Sequence, residues 1–320
     1  MKALVLEDLN GPGALDYVDV PAPVGEGLVH IEVHAAGVNF PDLLTMKGQY
    51  QHKQRPPFIP GSEVCGTVMH APEGSGWAPG DRVSALATVG GYAEQVAVPA
   101  GLVLPTPWQL SDTEAAALLI NHQTAYFSLV TRGGLQPGET VVVLGAAGGV
   151  GSAAVQVASA LGARVIAVVH REGADDFVRS LGAYAVVRMT EGWAQEVHDL
   201  SNGGANLLID PVGGPQFEPA LRSLRIGGRL VIVGFAAGGI PTIAANRLLL
   251  RNVSAIGAAW GAYFTAEPTV LPQVAGALDL LVEAGLRPPV TQTFPLAKGR
   301  AAVELLEAGG VLGKVVITVR

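Results

Sequence analysis

A glycine-rich turn near the middle of the chain is the stretch of this sequence best suited to chemistry. Residues 145–151 are Gly-Ala-Ala-Gly-Gly-Val-Gly, between the β-branched run Thr140–Leu144 and an Ala-rich run over 152–161. The first run is typical of a strand buried on both faces, and the second is typical of a helix packed closely on a sheet. The turn is therefore expected where a strand passes into a helix.

Glycines at such a junction let an anion approach the backbone. Gly148, Gly149 and Gly151 lack the Cβ atoms that would block a pyrophosphate, and a helix start offers N–H groups and a partial positive charge. Residues 149–154 fit G-x-G-x-x-A, and a second buried strand over 165–169 completes a βαβ unit. A glycine cluster alone is also compatible with a simple tight turn. The flanking strands favour a dinucleotide site, with Ala147 to Gly151 at the phosphates.

The residues after the second strand indicate which cofactor would bind. In NAD-binding folds an acidic residue at this place accepts the ribose hydroxyls, whereas here the strand ends in His170-Arg171. Arg171 can bind a 2′-phosphate, and Arg188, at the end of the third strand, could join it. The alternative is that Arg171 pairs with Glu172 or Asp175 at the surface. The pattern favours NADPH.

The rest of the central region alternates between strands and helices. Six buried strands with crossover helices predict a doubly wound parallel sheet, an α/β fold. After the first two strands, the expected strands are 183–187, 205–210, 229–233 and 253–257. One expected helix ends at 180, and three others span 193–200, 217–224 and 244–250.

The first 115 residues are rich in Pro and Gly, and short strand candidates predict a mainly β domain, a partly open barrel. These candidates are 2–7, 15–20, 28–36, 64–70, 82–86 and 93–99. A helix is expected over 111–132, because Ser111 and Glu114 form a capping-box signature and Gly133-Gly134 would end it. In the tail we expect helices over 269–284 and 298–308 and a strand over 314–320.

Composition excludes several classes of protein. The chain has 320 residues, 49% hydrophobic and 15% charged, enough for two domains with buried cores. The net charge of −7 gives no reason to expect a nucleic acid or an anionic membrane as partner. The single cysteine, Cys65, rules out an intrachain disulfide. No signal peptide or apolar stretch of transmembrane length is evident, so the expected location is the cytoplasm.

The whole chain resembles the medium-chain dehydrogenase/reductase superfamily, specifically its zinc-free quinone oxidoreductase branch related to zeta-crystallin. The most specific stretch is 146–151, with Gln156 and Ser159 at the family spacing. Further matching motifs occur at 37–42, 60–66, 79–83 and 313–315. The resemblance implies a GroES-like, mainly β catalytic domain from 1–117 and 261–320, and a Rossmann cofactor domain over 118–260.

Metal ligands are not expected. The zinc-dependent relatives have Gly-His-Glu where this chain has Gly61-Ser62-Glu63, and the Gly37-Val38 region offers no thiolate. Among the histidines only His30 and His34 are close, on one strand face, and two ordinary strand histidines explain them better than a metal site. A closed tetrahedral zinc site needs four suitable donors.

The resemblance also implies further cofactor contacts. Thr124 matches a position near the nicotinamide carboxamide, and Lys314 matches a lysine near the cofactor. Val212-Gly213 and Phe235 follow the fourth and fifth strands, whose carboxyl ends border the ligand crevice of an open α/β sheet. Phe235 could equally be a core aromatic.

Catalytic residues come from the resemblance of 39–50 to the family segment beside the nicotinamide. Tyr50 matches a tyrosine that enoyl-thioester reductases use as a donor, and Asn39 matches an asparagine of the same cleft. Leu44 replaces a second tyrosine of some quinone oxidoreductases. Without a metal, an O–H or N–H donor is the available stabiliser of a developing carbonyl oxyanion. Tyr50 could instead be only an aromatic wall of the pocket.

The activity so implied is NADPH-dependent hydride transfer to a quinone or an α,β-unsaturated carbonyl. The alternatives are an enoyl-thioester reductase of the acryloyl-CoA type and a non-catalytic NADPH-binding protein. Residues 253–259 would form the last strand of the parallel sheet, an apolar edge that a second copy could pair. A homodimer is therefore expected.

Overall fold

The computed structural model describes all 320 residues, and they form two compact units. The first unit comprises Met1–Ile120 and Arg287–Arg320, and the second comprises Asn121–Leu286. Each unit has a hydrophobic core of its own, built on its own sheet.

The strands are β1 (Lys2–Leu6), β2 (Leu15–Asp19), β3 (Leu28–Val38), β4 (Glu63–His70), β5 (Arg82–Leu86), β6 (Gln95–Pro99), β7 (Val103–Pro105), β8 (Thr140–Leu144), β9 (Arg164–Val169), β10 (Ala185–Arg188), β11 (Ala205–Asp210), β12 (Leu224–Ile232), β13 (Ser254–Gly257), β14 (Val290–Pro295) and β15 (Lys314–Thr318). The α-helices are α1 (Phe40–Met46), α2 (Asp112–Ala115), α3 (Leu119–Tyr126), α4 (Gly149–Ala160), α5 (Ala174–Ser180), α6 (Trp193–Leu200), α7 (Phe217–Arg222), α8 (Ala245–Arg251), α9 (Trp260–Ala266), α10 (Val270–Glu283) and α11 (Gly299–Glu307). A π-helical segment, Phe127–Arg132, follows α3.

The first unit is mainly β, as expected. β1 and β2 form an antiparallel pair, and the larger sheet has the order β14-β15-β3-β4-β5-β7, with β6 also paired to β3. Within it β14 and β15 are parallel and the other pairs are antiparallel. The six strands expected before residue 100 are confirmed, with ends shifted by at most a few residues.

Three elements of the first unit were missed by the sequence analysis: α1, β7 and β14. β7 has only three residues and ends at Pro105, so it carries almost no periodic signal. Pro41 lies in the first turn of α1. There the missing N–H costs nothing, so a proline at this position is compatible with a helix start.

Strand β3 shows how the core of this unit is built. Val29, Ile31 and Val33 are fully buried, while the residues between them are partly exposed. This period of two places one face of the strand in the core and the other towards solvent. The long strand pairs with β15, β4 and β6, and it therefore joins the C-terminal strand to the N-terminal sheet.

The second unit is the doubly wound sheet that was predicted. Its six parallel strands have the order β10-β9-β8-β11-β12-β13. The chain order reverses between β8 and β11, and in sheets of this kind ligands bind outside the carboxyl ends of the strands at that point. β13 is an edge strand, as predicted.

The helix expected over 111–132 is interrupted. The capping box is confirmed, because Ser111 N donates to Glu114 Oε2 at 2.8 Å and Glu114 N donates to Ser111 Oγ at 3.3 Å. However, α2 ends after one turn and α3 begins at Leu119. The last part has π-helical hydrogen bonds, such as Gly133 N to Ser128 O at 2.9 Å. The two glycines do end the segment.

The compact division also differs from the expected domain boundaries in the C-terminal third of the chain. We expected 261–320 in the first domain, but residues 261–286 belong to the second unit. At the start of this segment there is an aromatic cluster: the Phe127 ring lies 5.1 Å from the Trp260 ring and 4.9 Å from the Tyr263 ring, measured between centroids. These contacts fasten α9 to the π-helical segment.

Candidate functional site

Different structural constraints favour glycine at the separate positions of the β8–α4 turn. A Cβ on Gly151 would lie 2.1 Å from the carbonyl oxygen of Gly145, so Gly151 allows close packing of the helix on its own turn. A Cβ on Gly149 would lie 2.6 Å from Asn121 Nδ2. Gly145 has a φ of +58°, which L side chains rarely adopt. Only at Gly148 would a Cβ meet ordinary contact, 3.4 Å from Gly145 O.

The start of α4 is suited to an anion. Gly148 is the N-cap residue and supplies no side-chain hydrogen bond. Intrahelical bonding begins with Ser152 N, which donates to Gly148 O at 2.8 Å. The N–H groups of Gly149, Val150 and Gly151 therefore lie in the turn where a helix has no carbonyl partner for them. Together with the dipole of a twelve-residue helix, they can hold a phosphate group.

A cationic loop follows the carboxyl end of β9, on the same side of the sheet as the glycine turn after β8. His170 and Arg171 come directly after the strand, and Arg188 is the last residue of β10, in register with Val169. One Arg188 nitrogen donates to the carbonyl oxygen of Arg171, and another forms an ion pair with Asp175. Burial, and then the charge of Arg171, lower the pKa of His170. The structure thus brings all three predicted cationic residues together.

The carboxyl ends of β11 and β12 lie close to the glycine turn. Val212 and Gly213 donate their N–H groups to Asp210 Oδ1, both at 2.8 Å. Asp210 therefore caps the end of β11. A Cβ on Gly145 would lie 3.0 Å from Val212 Cγ2, and one on Gly213 would lie 2.8 Å from the Phe235 ring. Val212 thus borders the turn, and Phe235 lies against Gly213.

Thr124 lies on α3, which is joined to the glycine-rich helix. His122 Nε2 and Gln156 Oε1 are 3.0 Å apart, and Asn121 packs on Gly149. These two contacts hold α3 against α4, and Gln156 supplies one of them. Thr124 itself is half-buried.

In the first unit, Asn39 and Lys314 lie in one buried polar cluster. The Lys314 ammonium donates to Asn39 Oδ1 at 2.5 Å and to Glu63 Oε1. Asn39 Nδ2 also donates to Glu63 Oε1 at 3.0 Å, and Glu63 Oε2 accepts from Ile120 N at 2.8 Å. The three side chains are almost fully buried. The structure therefore places Lys314 inside the first unit, and its contact with a cofactor stays a prediction.

Asp42 adds a second set of bonds to this cluster. Its carboxylate accepts from Asn39 N at 2.9 Å, from Tyr92 Oη at 2.9 Å and from Ser62 Oγ at 2.6 Å. Burial nevertheless raises the pKa of Asp42 to about 6, although these bonds and the Lys314 charge oppose the shift. The bond to Asn39 N completes a capping-box contact at the start of α1.

Tyr50 follows α1 and is attached to its last turn. Its backbone N–H donates to Leu44 O at 3.2 Å, and its ring lies 5.9 Å from the ring of His52. The side chain is half-buried. Burial raises the pKa of Tyr50, the charge of Asp42 raises it further, and a hydrogen bond from Gln51 opposes the shift. The hydroxyl is therefore protonated at neutral pH and can act as a donor.

Comparison with known proteins agrees with this arrangement. Residues 25–108 match the alcohol dehydrogenase GroES-like domain, and residues 149–276 match the zinc-binding dehydrogenase family. The quinone oxidoreductase-like protein 2 of Bos taurus is 36% identical over 100% of this chain and 93% of that protein.

Two solved structures are similar over the whole chain. A probable oxidoreductase from Mycobacterium abscessus is 47% identical, with a TM-score of 0.94 over 100% of this chain and 99% of that chain. The quinone oxidoreductase of Thermus thermophilus, solved also in complex with NADPH, is 39% identical with a TM-score of 0.86 over 100% of both chains.

The chain belongs to the quinone oxidoreductase family of the medium-chain dehydrogenase/reductase superfamily. The predicted family, the GroES-like domain and the Rossmann-type sheet are thereby confirmed. None of its helices is both long and apolar enough to span a membrane. The expected cytoplasmic location stays a prediction.

One of the families that this chain matches is described as zinc-binding, and the expected absence of zinc stays a prediction. No group of three or more His, Cys, Asp or Glu residues is placed to hold a metal. The Ser62 hydroxyl donates to Asp42, and one carboxylate oxygen of Glu63 accepts from the Lys314 ammonium.

The roles of three site residues, Asp42, Glu63 and Tyr92, were not found by the sequence analysis. The spacing Asn-x-x-Asp at 39–42 before a helix was an available capping signal. The other two gave no local signal, because their partners are distant in sequence or lie on another element. Asp175 was considered as a surface partner of Arg171, and the structure pairs it with Arg188.

The raised pKa of Asp42 predicts a pH-dependent contribution to stability. Because the folded protein holds this proton more tightly than the unfolded chain, the free energy of unfolding due to Asp42 falls as pH rises from about 4 to about 6. Asp42→Asn removes the titration. The difference in free energy of unfolding, variant minus wild type, should increase through this window and stay constant above it, measured by urea unfolding. A difference independent of pH would contradict the assignment.

Proposed function

We propose that the protein is an NADPH-dependent reductase of quinones and α,β-unsaturated carbonyl compounds that works without zinc. The observation that carries the proposal is the pairing of the open helix start at 148–151 with the cationic loop of His170, Arg171 and Arg188 at one edge of the sheet. The NADPH complex of the Thermus thermophilus relative supports the same cofactor.

The residues of the second unit would divide the work of binding. The N–H groups at the start of α4 would hold the pyrophosphate, and Arg171 would bind the 2′-phosphate. Val212, Gly213 and Phe235 would border the crevice, and Thr124 would bind near the carboxamide of the nicotinamide. When bound, the cofactor supplies the hydride; the protein supplies its orientation and the electrostatics of the pocket.

Tyr50 is the proposed catalytic donor. Hydride delivery to an enone places negative charge on the carbonyl oxygen, and an O–H group held at that oxygen stabilises it. The raised pKa of Tyr50 keeps this proton on the phenol at neutral pH. Asn39 acts by a different route, since its amide is bonded to Gly37, Glu63 and Lys314. We propose that it fixes the start of α1, and thereby the segment that ends at Tyr50.

A screen of NADPH consumption over quinones, enones and enoyl-CoA esters tests the activity. We expect turnover of quinones and enones with NADPH, with slower turnover when NADH replaces it, in protein that metal analysis shows to lack zinc. Preference for enoyl-CoA esters would instead favour the enoyl-thioester reductase, and NADPH binding without turnover would favour a non-catalytic protein. One equivalent of zinc bound by side chains would contradict the zinc-independent mechanism.

Tyr50→Phe tests the catalytic donor, because it keeps the ring and removes only the hydroxyl. On enones kcat should fall by an amount equivalent to ~2.7–4 kcal/mol, as for removal of other oxyanion donors. Affinity for NADPH should not change. Quinones are stronger electrophiles, so kcat on quinones should fall less than kcat on enones. Tyr184→Phe, which removes a hydroxyl from an exposed tyrosine, is the control. An unchanged kcat on the best enone would remove Tyr50 from the mechanism.

Arg171→Ala tests the cofactor assignment. The variant should weaken NADPH binding by about 1.5–3 kcal/mol, the usual value of a charge-assisted contact, and leave NADH binding nearly unchanged. Arg179→Ala removes a charge from an exposed residue of α5 and serves as the control for long-range electrostatics. Titration followed by nicotinamide fluorescence measures both affinities. Equal losses for the two cofactors would refute the role of Arg171.

We also propose a homodimer formed at the edge strand β13. Ala255 and Ile256 of this strand remain partly exposed, and Leu249 and Leu250 on the preceding helix α8 are exposed to 74% and 76%. An unpaired apolar edge is a liability, and antiparallel pairing with a second copy would satisfy it under twofold symmetry. Light scattering at micromolar concentration should give twice the mass of the chain, and a monomer mass would contradict this.

A further inference from the structure

The ion pair between Asp175 and Arg188 lies in the loop that we assign to the cofactor's 2′-phosphate. Asp175 is in the first turn of α5, directly after the loop of 170–173. Arg188 uses one nitrogen for Asp175 and another for the Arg171 carbonyl oxygen. The Arg188 side chain thus joins the helix start to the backbone of the cationic loop.

This pair is too exposed to be explained as a stabilising contact. The side chains of Arg188 and Asp175 keep 37% and 40% of their exposure, and ion pairs so accessible contribute little to folding. The ion pair matters more for the local charge than for folding. Asp175 places one carboxylate on the guanidinium of Arg188, whose other nitrogen donates to the Arg171 carbonyl oxygen, and so it neutralises that guanidinium. The next residue, Asp176, is exposed and forms no ion pair.

We propose that Asp175 is a specificity-determining residue: it competes with the cofactor's 2′-phosphate for Arg188 and so limits the preference for NADPH over NADH. The proposal rests on the proposed use of NADPH. A phosphate bound at Arg171 carries nearly two negative charges, so it is repelled by the carboxylate and attracted by the guanidinium that the carboxylate occupies. A ribose hydroxyl carries no charge and is affected little.

Asp175→Asn tests this with almost no change of shape, and Asp176→Asn is the matched control in the adjacent position. Calorimetry would measure the affinities of NADPH, NADH, 2′,5′-ADP and 5′-AMP. Asp175→Asn should tighten NADPH and 2′,5′-ADP roughly three- to tenfold, since removing one like charge at a solvent-screened site changes binding by about this factor. NADH and 5′-AMP should change less than about twofold, as should every ligand in Asp176→Asn.

The double variant Asp175→Asn with Arg188→Met tests whether the effect acts through Arg188. If Asp175 acts by occupying this guanidinium, Asp175→Asn should give a smaller gain in the Arg188→Met background than in the wild type. A gain of the same size in both backgrounds, a loss of NADPH affinity in Asp175→Asn, or equal effects of Asp175→Asn and Asp176→Asn would overturn the proposal.

The two proposals can fail separately. Equal affinity of the wild-type protein for NADPH and NADH would contradict the proposed cofactor preference before any variant is made. The role of Asp175 is judged on the ratio of 2′,5′-ADP to 5′-AMP affinity, which contains no nicotinamide. An unchanged ratio in Asp175→Asn would overturn it even if NADPH is the preferred cofactor.

Discussion

The ion pair between Lys314 and Glu63 is the constraint on which the first unit depends. Both side chains are almost completely removed from water, and desolvating two charges is costly unless they are paired and further hydrogen-bonded. Here Asn39 bonds to both partners, and Ile120 N donates to the remaining oxygen of Glu63. Loss of one partner would leave a buried charge, at a cost of about 3–5 kcal/mol. The pair joins the C-terminal strand β15 to the start of β4.

From this pair the constraint extends to the proposed donor. Asn39 bonds to the ion pair through its side chain and to Asp42 through its backbone N–H, and it stands directly before α1. Asp42 is in turn held by Ser62 and Tyr92. Because α1 is short and Tyr50 is bonded to its last turn, the position of Tyr50 follows from the position of Asp42. The segment 39–50 is therefore held at its first residue by the buried cluster. In the proposed mechanism its last residue is the catalytic donor.

In the second unit the main constraint is close packing at the β8–α4 turn, whereas in the first unit it is the buried ion pair. Glycine is required at 149 and 151 because the helix start packs against Asn121 and Gly145. The N–H groups at 149–151 are left without a carbonyl partner in this turn. The cationic loop obeys a balance of charges, with Asp175 opposing Arg188. The contacts of the glycines belong to the fold itself, whereas the exposed ion pair of Asp175 and Arg188 contributes little to folding.

The sequence by itself determined the local features. The βαβ unit around 140–169, the strand Ala205–Asp210 and the Ser111–Glu114 cap all depend on periodicity or on contacts within a few residues. Resemblance in short motifs identified the family. The cationic residues 170, 171 and 188 could also be placed, because parallel strands bring their carboxyl ends to one edge.

Only the tertiary structure decided which polar groups meet. Lys314 is 251 residues from Glu63, and Tyr92 is 50 residues from Asp42, so no local pattern could pair them. The same limit hid the aromatic contacts that place α9 with the second unit, and the partner of Arg188. A sequence records which groups can bond, but a buried charge takes the partner that folding brings within reach, because desolvation makes every other arrangement costly.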